Sequence, residues 1–300
     1  MGPHWSKEEM SYIKRYGELS KEDLIRLIPN RTWAKIRYKL WSVGISKEIH
    51  WHNKLYKLLE ENPISYYWLG FLMADGHFSK KGWIYLSLAN LDAPHVQKFS
   101  DYIEGPKICL LQKKSQSRCT VKNKDVVKQL SEKFNISNRK TYEPCNIKGI
   151  KDDKLFLAWL IGFIDGDGTI VQRRSNSQYI KIAVHSSWTD NLDYIYKRVQ
   201  SISRIRCHPP SLDGRGYIHI RFGRIELLQY LKKFAIENNL PILTRKWDKI
   251  DLNKKLPMKY FMKQLRNSGK NAKEIAETLN ISVRLVYASI RMYDFDPNIY

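Results

Sequence analysis

The strongest constraint on this chain is that it repeats itself. Residues 68–76 read Trp-Leu-Gly-Phe-Leu-Met-Ala-Asp-Gly, and residues 160–168 read Leu-Ile-Gly-Phe-Ile-Asp-Gly-Asp-Gly. Gly70 matches Gly162 and Asp75 matches Asp167, both at an offset of 92. The stretch Trp83–Leu88 has a counterpart in Tyr179–Val184, Phe134-x-Ile136 in Phe234-x-Ile236, and Arg139-Lys140 in Arg245-Lys246. The offset grows to 106 by the last pair, as expected if the loops differ in length. Residues from about 63 to 255 are therefore two copies of one unit, too few for a solenoid, and a pseudo-twofold pair is expected.

Each copy reads helix, strand, strand, helix, strand, strand, helix. This predicts an α+β fold of two αββαββα units over 63–150 and 151–255. The opening helix is apolar nearly all round, as in a buried helix. Small residues recur one turn apart, Gly70 with Ala74 and Gly162 with Gly166, so the two opening helices should pack backbone to backbone at the twofold axis. Asp75 and Asp167 then come together at the helix C-termini. There each carboxylate faces the negative end of a helix dipole, at a cost of up to about 1 kcal/mol, and the two repel. A divalent cation resolves both costs. Two carboxylates with the backbone carbonyls at Ala74 and Gly166 suit Mg²⁺ or Mn²⁺. Beside DNA, such metals activate a water and stabilise the leaving oxygen of a phosphodiester. A single Asp-Gly reads as a helix-to-strand turn. Two at matching positions of a duplicated basic domain argue for the chemistry.

The charge points to the substrate class. Lys and Arg number 52 against 30 Asp and Glu, a net +22. The excess is spread over every segment, from +3 in 256–300 to +8 in 151–255. A chain basic throughout suits an extended polyanion, nucleic acid before an anionic membrane. Apolar residues make up 43%, which excludes a disordered polycation. No apolar run approaches the roughly 18–20 residues of a membrane span, and the first residues carry no signal-peptide core. The four cysteines form no Cys-x-x-Cys pair, so a reducing, intracellular setting is expected. His50-x-His52 reads as part of a linker over 51–62.

The flanks read as small helical modules. In residues 1–50, Ser6 with Glu9 and Ser20 with Asp23 are capping boxes. Met10, Ile13 and Tyr16 follow at helical spacing, then Leu24, Ile25 and Ile28 before Pro29. A third helix is expected from about Thr32 to Val43, stopped by Gly44. Its inner face carries Trp33, Ile36 and Leu40, and its outer face carries Lys35, Arg37, Tyr38 and Lys39. The pattern resembles Myb/SANT-like DNA-binding modules; a plain bundle with a solvated basic face is the alternative. In 256–300, Ala276 is small where two helices meet and Asn280 suits a left-handed turn. Ser282 caps the next helix, and Val286 points to the core. This resembles a helix-turn-helix, whose second helix enters the major groove. Arg284, Tyr287 and Arg291 would then touch DNA, and an ordinary helical hairpin is the alternative.

Trp68–Gly76 and Leu160–Gly168 resemble the LAGLIDADG signature. Over residues 63–255 the chain is similar to single-chain, two-motif LAGLIDADG homing endonucleases. The first motif departs from the pattern, with Met73 at the first Asp and Trp68-Leu69 at the opening Leu-Ala. The resemblance implies that Asp75 and Asp167, the last acids of the motifs, hold Mg²⁺. It implies motif helices at the interface and curved antiparallel sheets in the major groove of a long duplex site. It also implies hydrolysis of one phosphodiester per strand by a monomer. Basic and polar groups would surround the catalytic water. By position in the repeat these are Asn90 and Ser186 after the second strand, and Lys124 and Arg224 before the second long helix. Ile180, Ile182 and Val184 share one sheet face, and Tyr179 and Lys181 the other. Lys80, Lys81, Gln172, Arg173, Arg174, Lys181 and Arg221 read as DNA contacts, against a merely solvated face. A non-cleaving transcription regulator and an intron RNA maturase are alternatives on the same scaffold. Retention of both acids favours the nuclease.

Overall fold

The computed structural model describes residues 5–17, 19, 21–43, 54–111, 115–172, 177–254, 256 and 258–293. Ser20, Gly44, His50, His52, Arg173 and Arg174, singled out above, lie outside the described residues, as does the side chain of Arg291.

Helices α1 (Lys7–Tyr16), α2 (Lys21–Leu27) and α3 (Trp33–Ser42) close on a small core of Ile13, Leu24, Ile28, Ile36 and Leu40. Ser6 and Glu9 form the expected capping box on α1. Glu9 also takes both arms of Arg31, at 2.6 and 2.9 Å, which ties the start of α1 to the turn before α3.

The first unit runs α4 (Pro63–Asp75), β1 (Gly76–Phe78), β2 (Trp83–Ala89), α5 (Ala93–Tyr102), β3 (Cys109–Leu111), β4 (Gln116–Lys122) and α6 (Lys124–Phe134). The second repeats the order: α7 (Asp153–Asp167), β5 (Gly168–Gln172), β6 (Gln178–His185), α8 (Thr189–Ser203), β7 (Ser211–Leu212), β8 (Tyr217–Phe222) and α9 (Ile225–Glu237), with a short α10 (Thr244–Trp247) after it. The fold is α+β. Each unit holds a four-stranded antiparallel sheet with the same strand order, β1-β2-β4-β3 and β5-β6-β8-β7. Alternation places Ile84, Leu86, Cys119 and Val121 inside the first sheet, and Ile180, Ile182, Ile218 and Ile220 inside the second.

The two units share one continuous core, from Leu55 to Ile250, with α4 and α7 at its centre. The linker expected over 51–62 is part of that core from residue 54 onward. Leu55–Leu59 form a 3-10 turn, and Leu55 and Leu58 are buried. The match of Phe134-x-Ile136 to Phe234-x-Ile236 is one of letters. Ile136 is buried but Ile236 is 53% exposed. The left-handed Asn239 and buried Leu240 beyond α9 take the places that Asn135 and Ile136 hold after α6, three residues further from the helix start.

Helices α11 (Met258–Asn267), α12 (Ala272–Leu279) and α13 (Val283–Tyr293) enclose a third core of Met262, Ile275, Ala276 and Val286. Asn280 adopts φ 52°, and Ser282 accepts from the amide of Leu285 at 3.2 Å. The sequence reading had no counterpart for α11. No helix among the described residues is long and apolar enough to cross a membrane.

Candidate functional site

The site is built on the α4–α7 contact. A Cβ placed on Gly70 would lie 1.9 Å from the carbonyl oxygen of Trp159, and one on Gly162 would lie 1.9 Å from that of Tyr67. Each glycine therefore admits the backbone of the opposite helix, symmetrically. At the C-terminal end a Cβ on Gly166 would meet the Ala74 Cβ at 2.3 Å. The helix ends lie side by side, with Asp75 and Asp167 as their last residues. The following glycines are required as well, since a Cβ on Gly76 or Gly168 would press on the Leu72 or Ile164 carbonyl at 2.5 and 2.6 Å. The Asp-Gly pairs are thus both turn and site.

Each helix end also receives a lysine. The Lys140 ammonium donates to the Met73 carbonyl at 2.7 Å and to that of Ala74. The buried Lys246 ammonium donates to the carbonyls of Asp165 at 2.5 Å, Gly168 at 2.7 Å, and Ile164 and Gly166 at 3.2 Å. A cation on the last carbonyls offsets the helix dipole. The lysines occupy the repeat position Arg139-Lys140/Arg245-Lys246. The sequence reading used that match only to align the copies.

Asp75 and Asp167 reach solvent, yet protein crowds them on their remaining sides. Lost hydration raises both carboxyls, Asp167 to about 6. The neighbouring Asp75 charge raises Asp167 further, against Lys140 and Lys246. Burial likewise lowers both lysines, opposed by the carboxylates. The interplay crosses the interface: the carboxylate that most supports Lys140 is Asp167, and Asp75 supports Lys246 after Asp165.

These residues fit a hard divalent cation. Two repelling carboxylates open to solvent, beside backbone carbonyls, are oxygen donors of the kind Mg²⁺ takes. Among the described residues no three His, Cys, Asp or Glu converge. The rest of a coordination shell would be water and phosphate, as is usual for Mg²⁺. The carbonyls of Ala74 and Gly166 already accept from lysine, leaving each a second lone pair.

Asp165 and Met73, the differing motif positions, are structural. Asp165 is buried and accepts from Tyr67 Oη and Trp247 Nε1 at 2.7 Å and from the Leu243 amide at 2.9 Å. Met73 Sδ accepts from Trp159 Nε1 at 3.1 Å in the other copy. Since the Tyr67 hydroxyl gives its proton to Asp165, His95 Nε2, 3.1 Å away, donates to it. Burial first, then Lys98, pushes His95 down to about 3, so the ring is neutral.

Among the described residues no hydrogen bond or ion pair joins the other expected catalytic groups to the acids. Gly76, next to Asp75, pairs with Leu86, which pairs with Cys119. Measured from that row at about 3.3 Å per residue, the backbone of Asn90, in the 3-10 turn after β2, is displaced by about 13 Å and that of Lys124, at the start of α6, by about 16 Å the opposite way. Gly168 pairs with Ile182 and that with Ile220, so Ser186 and Arg224 are each displaced by about 13 Å. Lys124 is exposed at the start of α6, and Arg224 begins α9 with its Nε on the Arg206 carbonyl at 3.3 Å. The segment after β6 instead touches the first unit through Trp188, whose Nε1 donates to the Lys140 carbonyl at 3.1 Å. Its counterpart Asp92 holds Arg245 at 2.5 and 2.6 Å. Each lysine-bearing loop is thus held by the opposite unit.

The outward sheet faces are basic. Lys181 faces Arg221 across β6 and β8, and Arg221 lies over Tyr179 at 5.9 Å. On the first sheet, Arg118 donates to Ser87 at 2.7 Å and lies over Tyr85 at 5.9 Å, while Lys122 lies over Trp83 at 5.6 Å. No Asp or Glu stands on either outward face among the described residues. The sequence reading named Lys181 and Arg221 and missed Arg118, Lys122, Tyr85 and Trp83. Alternation in Gln116–Lys122 was the signal for the β4 pair. Lys80 and Lys81 are exposed at the β1–β2 turn and Gln172 at the end of β5.

In the end modules Lys35, Arg37 and Tyr38 are exposed on α3, while Lys39 lies over Trp5 at 5.9 Å. Arg284 and Tyr287 are exposed on α13.

No protein-family model matches the chain, and no curated protein does. Among solved structures it is similar to the meganuclease I-SmaMI bound to uncleavable DNA, with 14% identity over 78% of this chain and 97% of that one, at a TM-score of 0.44. It is similar to the I-SmaMI LAGLIDADG homing endonuclease bound to cleaved DNA, at 14%, 77%, 97% and 0.44. It is also similar to the LAGLIDADG meganuclease I-AabMI bound to uncleaved DNA, at 15%, 75%, 97% and 0.42.

Proposed function

We propose that the chain is a site-specific endonuclease for double-stranded DNA that hydrolyses one phosphodiester in each strand with Mg²⁺ or Mn²⁺. The observation that carries this reading is the paired Asp75 and Asp167, each beside a lysine-capped helix end and flanked by two basic, acid-free sheet faces. Duplex DNA lying across both sheets would present its backbone to that pair. Asp75 and Asp167 hold the metal, which when bound supplies an activated water and neutralises phosphate charge. Lys140 and Lys246 keep positive charge beside the site, where charge builds on the phosphate oxygens. Arg118, Lys122, Lys181 and Arg221 grip the backbone or read base edges. Lys35, Arg37, Arg284 and Tyr287 in the end modules extend the footprint.

The test is a library of randomised duplexes incubated with Mg²⁺ and, separately, with Ca²⁺. Cleavage at one long site with Mg²⁺, and binding alone with Ca²⁺, is expected. Asp75→Asn and Asp167→Asn should each abolish the double-strand break while the duplex is still retained. Breaks at wild-type rates in both variants would falsify the assignment of the acids. Tight binding with no cleavage under any metal would favour a regulator.

A further inference from the structure

A cavity of about 150 Å³ opens at the rim of the second sheet, lined by Arg206, His208, Arg221 and Arg224 together with Cys207 and Leu227. None of the cations has an acidic partner within ion-pair distance among the described residues. Lys263, on α11 of the C-terminal module, faces Arg224 and Arg206 closely enough that their charge adds to burial in holding its ammonium down. Like charges so gathered repel. The backbone contributes in the same sense. Arg224 is the N-cap of the 13-residue α9 and its side chain caps nothing, leaving the first amides of that helix to an anion. Arg221 also belongs to the outward face of β8 beside Lys181, so the cavity continues the basic sheet surface. Through Lys263 the three-helix module stands next to it.

We propose that Arg206, Arg221, Arg224 and Lys263 form a clamp for one backbone phosphate of duplex DNA, where the strand passes from the second sheet to the C-terminal helices. This deepens the endonuclease reading and rests on it. A tetrahedral oxyanion of about this size suits the guanidinium forks of the walls, with the Lys263 ammonium beside Arg224 and Arg206. The clamp reads no base. Its role is to fix the angle at which α13 approaches the duplex, and the contact it adds is intramolecular once the sheets are seated.

The test uses the full chain and the salt dependence of duplex binding in Ca²⁺. Arg206 and Lys263 are exposed, so Arg206→Gln with Lys263→Gln should fold as the parent does. The slope of log K against log salt should flatten by about one unit, equally for unrelated duplexes, as for loss of one phosphate contact. Arg206→Lys with Lys263 intact should restore the slope. Removing the same charge from the outer sides of α6 and α8, as Lys128→Gln with Lys197→Gln, should leave it unchanged. An unaltered slope in the Arg206 and Lys263 variant overturns the clamp while the endonuclease reading stands. A wild type that binds no duplex overturns both. Inorganic phosphate, titrated without DNA and followed by Tm, separates the sources. A phosphate-dependent rise lost in the variant, with no change in DNA slope, would make this a pocket for a free anion and overturn the DNA assignment.

Discussion

Two aspartates two residues apart on α7 have opposite fates, because the helix turns them to opposite environments. Asp167 ends the helix facing Asp75, while Asp165 is buried under three donors. Burial is the main cause that raises Asp165 from 3.8 to about 6, so protonation favours the folded chain. That stabilisation is fully present below about pH 4 and is lost as pH rises through about 6. Relative to Asp165→Asn, the wild type should lose up to about 3 kcal/mol between pH 4 and 7, read from urea midpoints; parallel pH curves for the two would count against it. At Asp167 the proton competes with a cation. Mn²⁺ affinity measured by calorimetry should fall about tenfold per pH unit below about 6, and Asp75→Asn should move that fall to lower pH. The Lys140 and Lys246 ammonium groups have no such legible signature. In the sequence each is one lysine among many, and only the match of Arg139-Lys140 with Arg245-Lys246 marks them.

At the scale of elements, the helix pair carries both stability and geometry. Gly162→Ala places a Cβ 1.9 Å from the Tyr67 carbonyl, so α4 and α7 must separate. Overpacking of that kind costs about 1–3 kcal/mol or more. The separation also spreads Asp75 from Asp167, so cleavage should fall by a larger factor than DNA affinity. Equal loss of both, or of neither, would argue that the helix contact does not set the site. This contact was legible in the sequence because small residues one turn apart on an all-apolar helix have few other uses. The positions of Asn90, Lys124, Ser186 and Arg224 were not. Matching places in a repeat say that two residues are equivalent, and strand register decides what they are near.

Over the whole molecule, each surface that the endonuclease reading assigns to DNA carries positive charge: two outward sheet faces, the rim cavity, and exposed α3 and α13. Deleting residues 256–300 should shorten a nuclease-protection footprint on the side of the second sheet and weaken affinity. A footprint of unchanged length would assign the C-terminal helices to something other than DNA. Three cores, one shared by both units and one for each end module, divide the described residues, and Tyr260 of α11 packs against the central one. The two units themselves share one core around α4 and α7.

The sequence by itself determined the duplication, the element order of each unit, the burial of the motif helices, the alternation of the strands and the left-handed turn at Asn280. These follow from local periodicity and from residues with few conformational options. Tertiary structure alone decided that Lys140 and Lys246 cap the helix ends and that Met73 and Asp165 are structural counterparts. It likewise decided that each lysine-bearing loop is held by the opposite unit, and that Lys263 joins Arg206 and Arg224. Each of these contacts joins residues far apart along the chain, and their proximity depends on how helices and sheets pack, a quantity that no local pattern encodes.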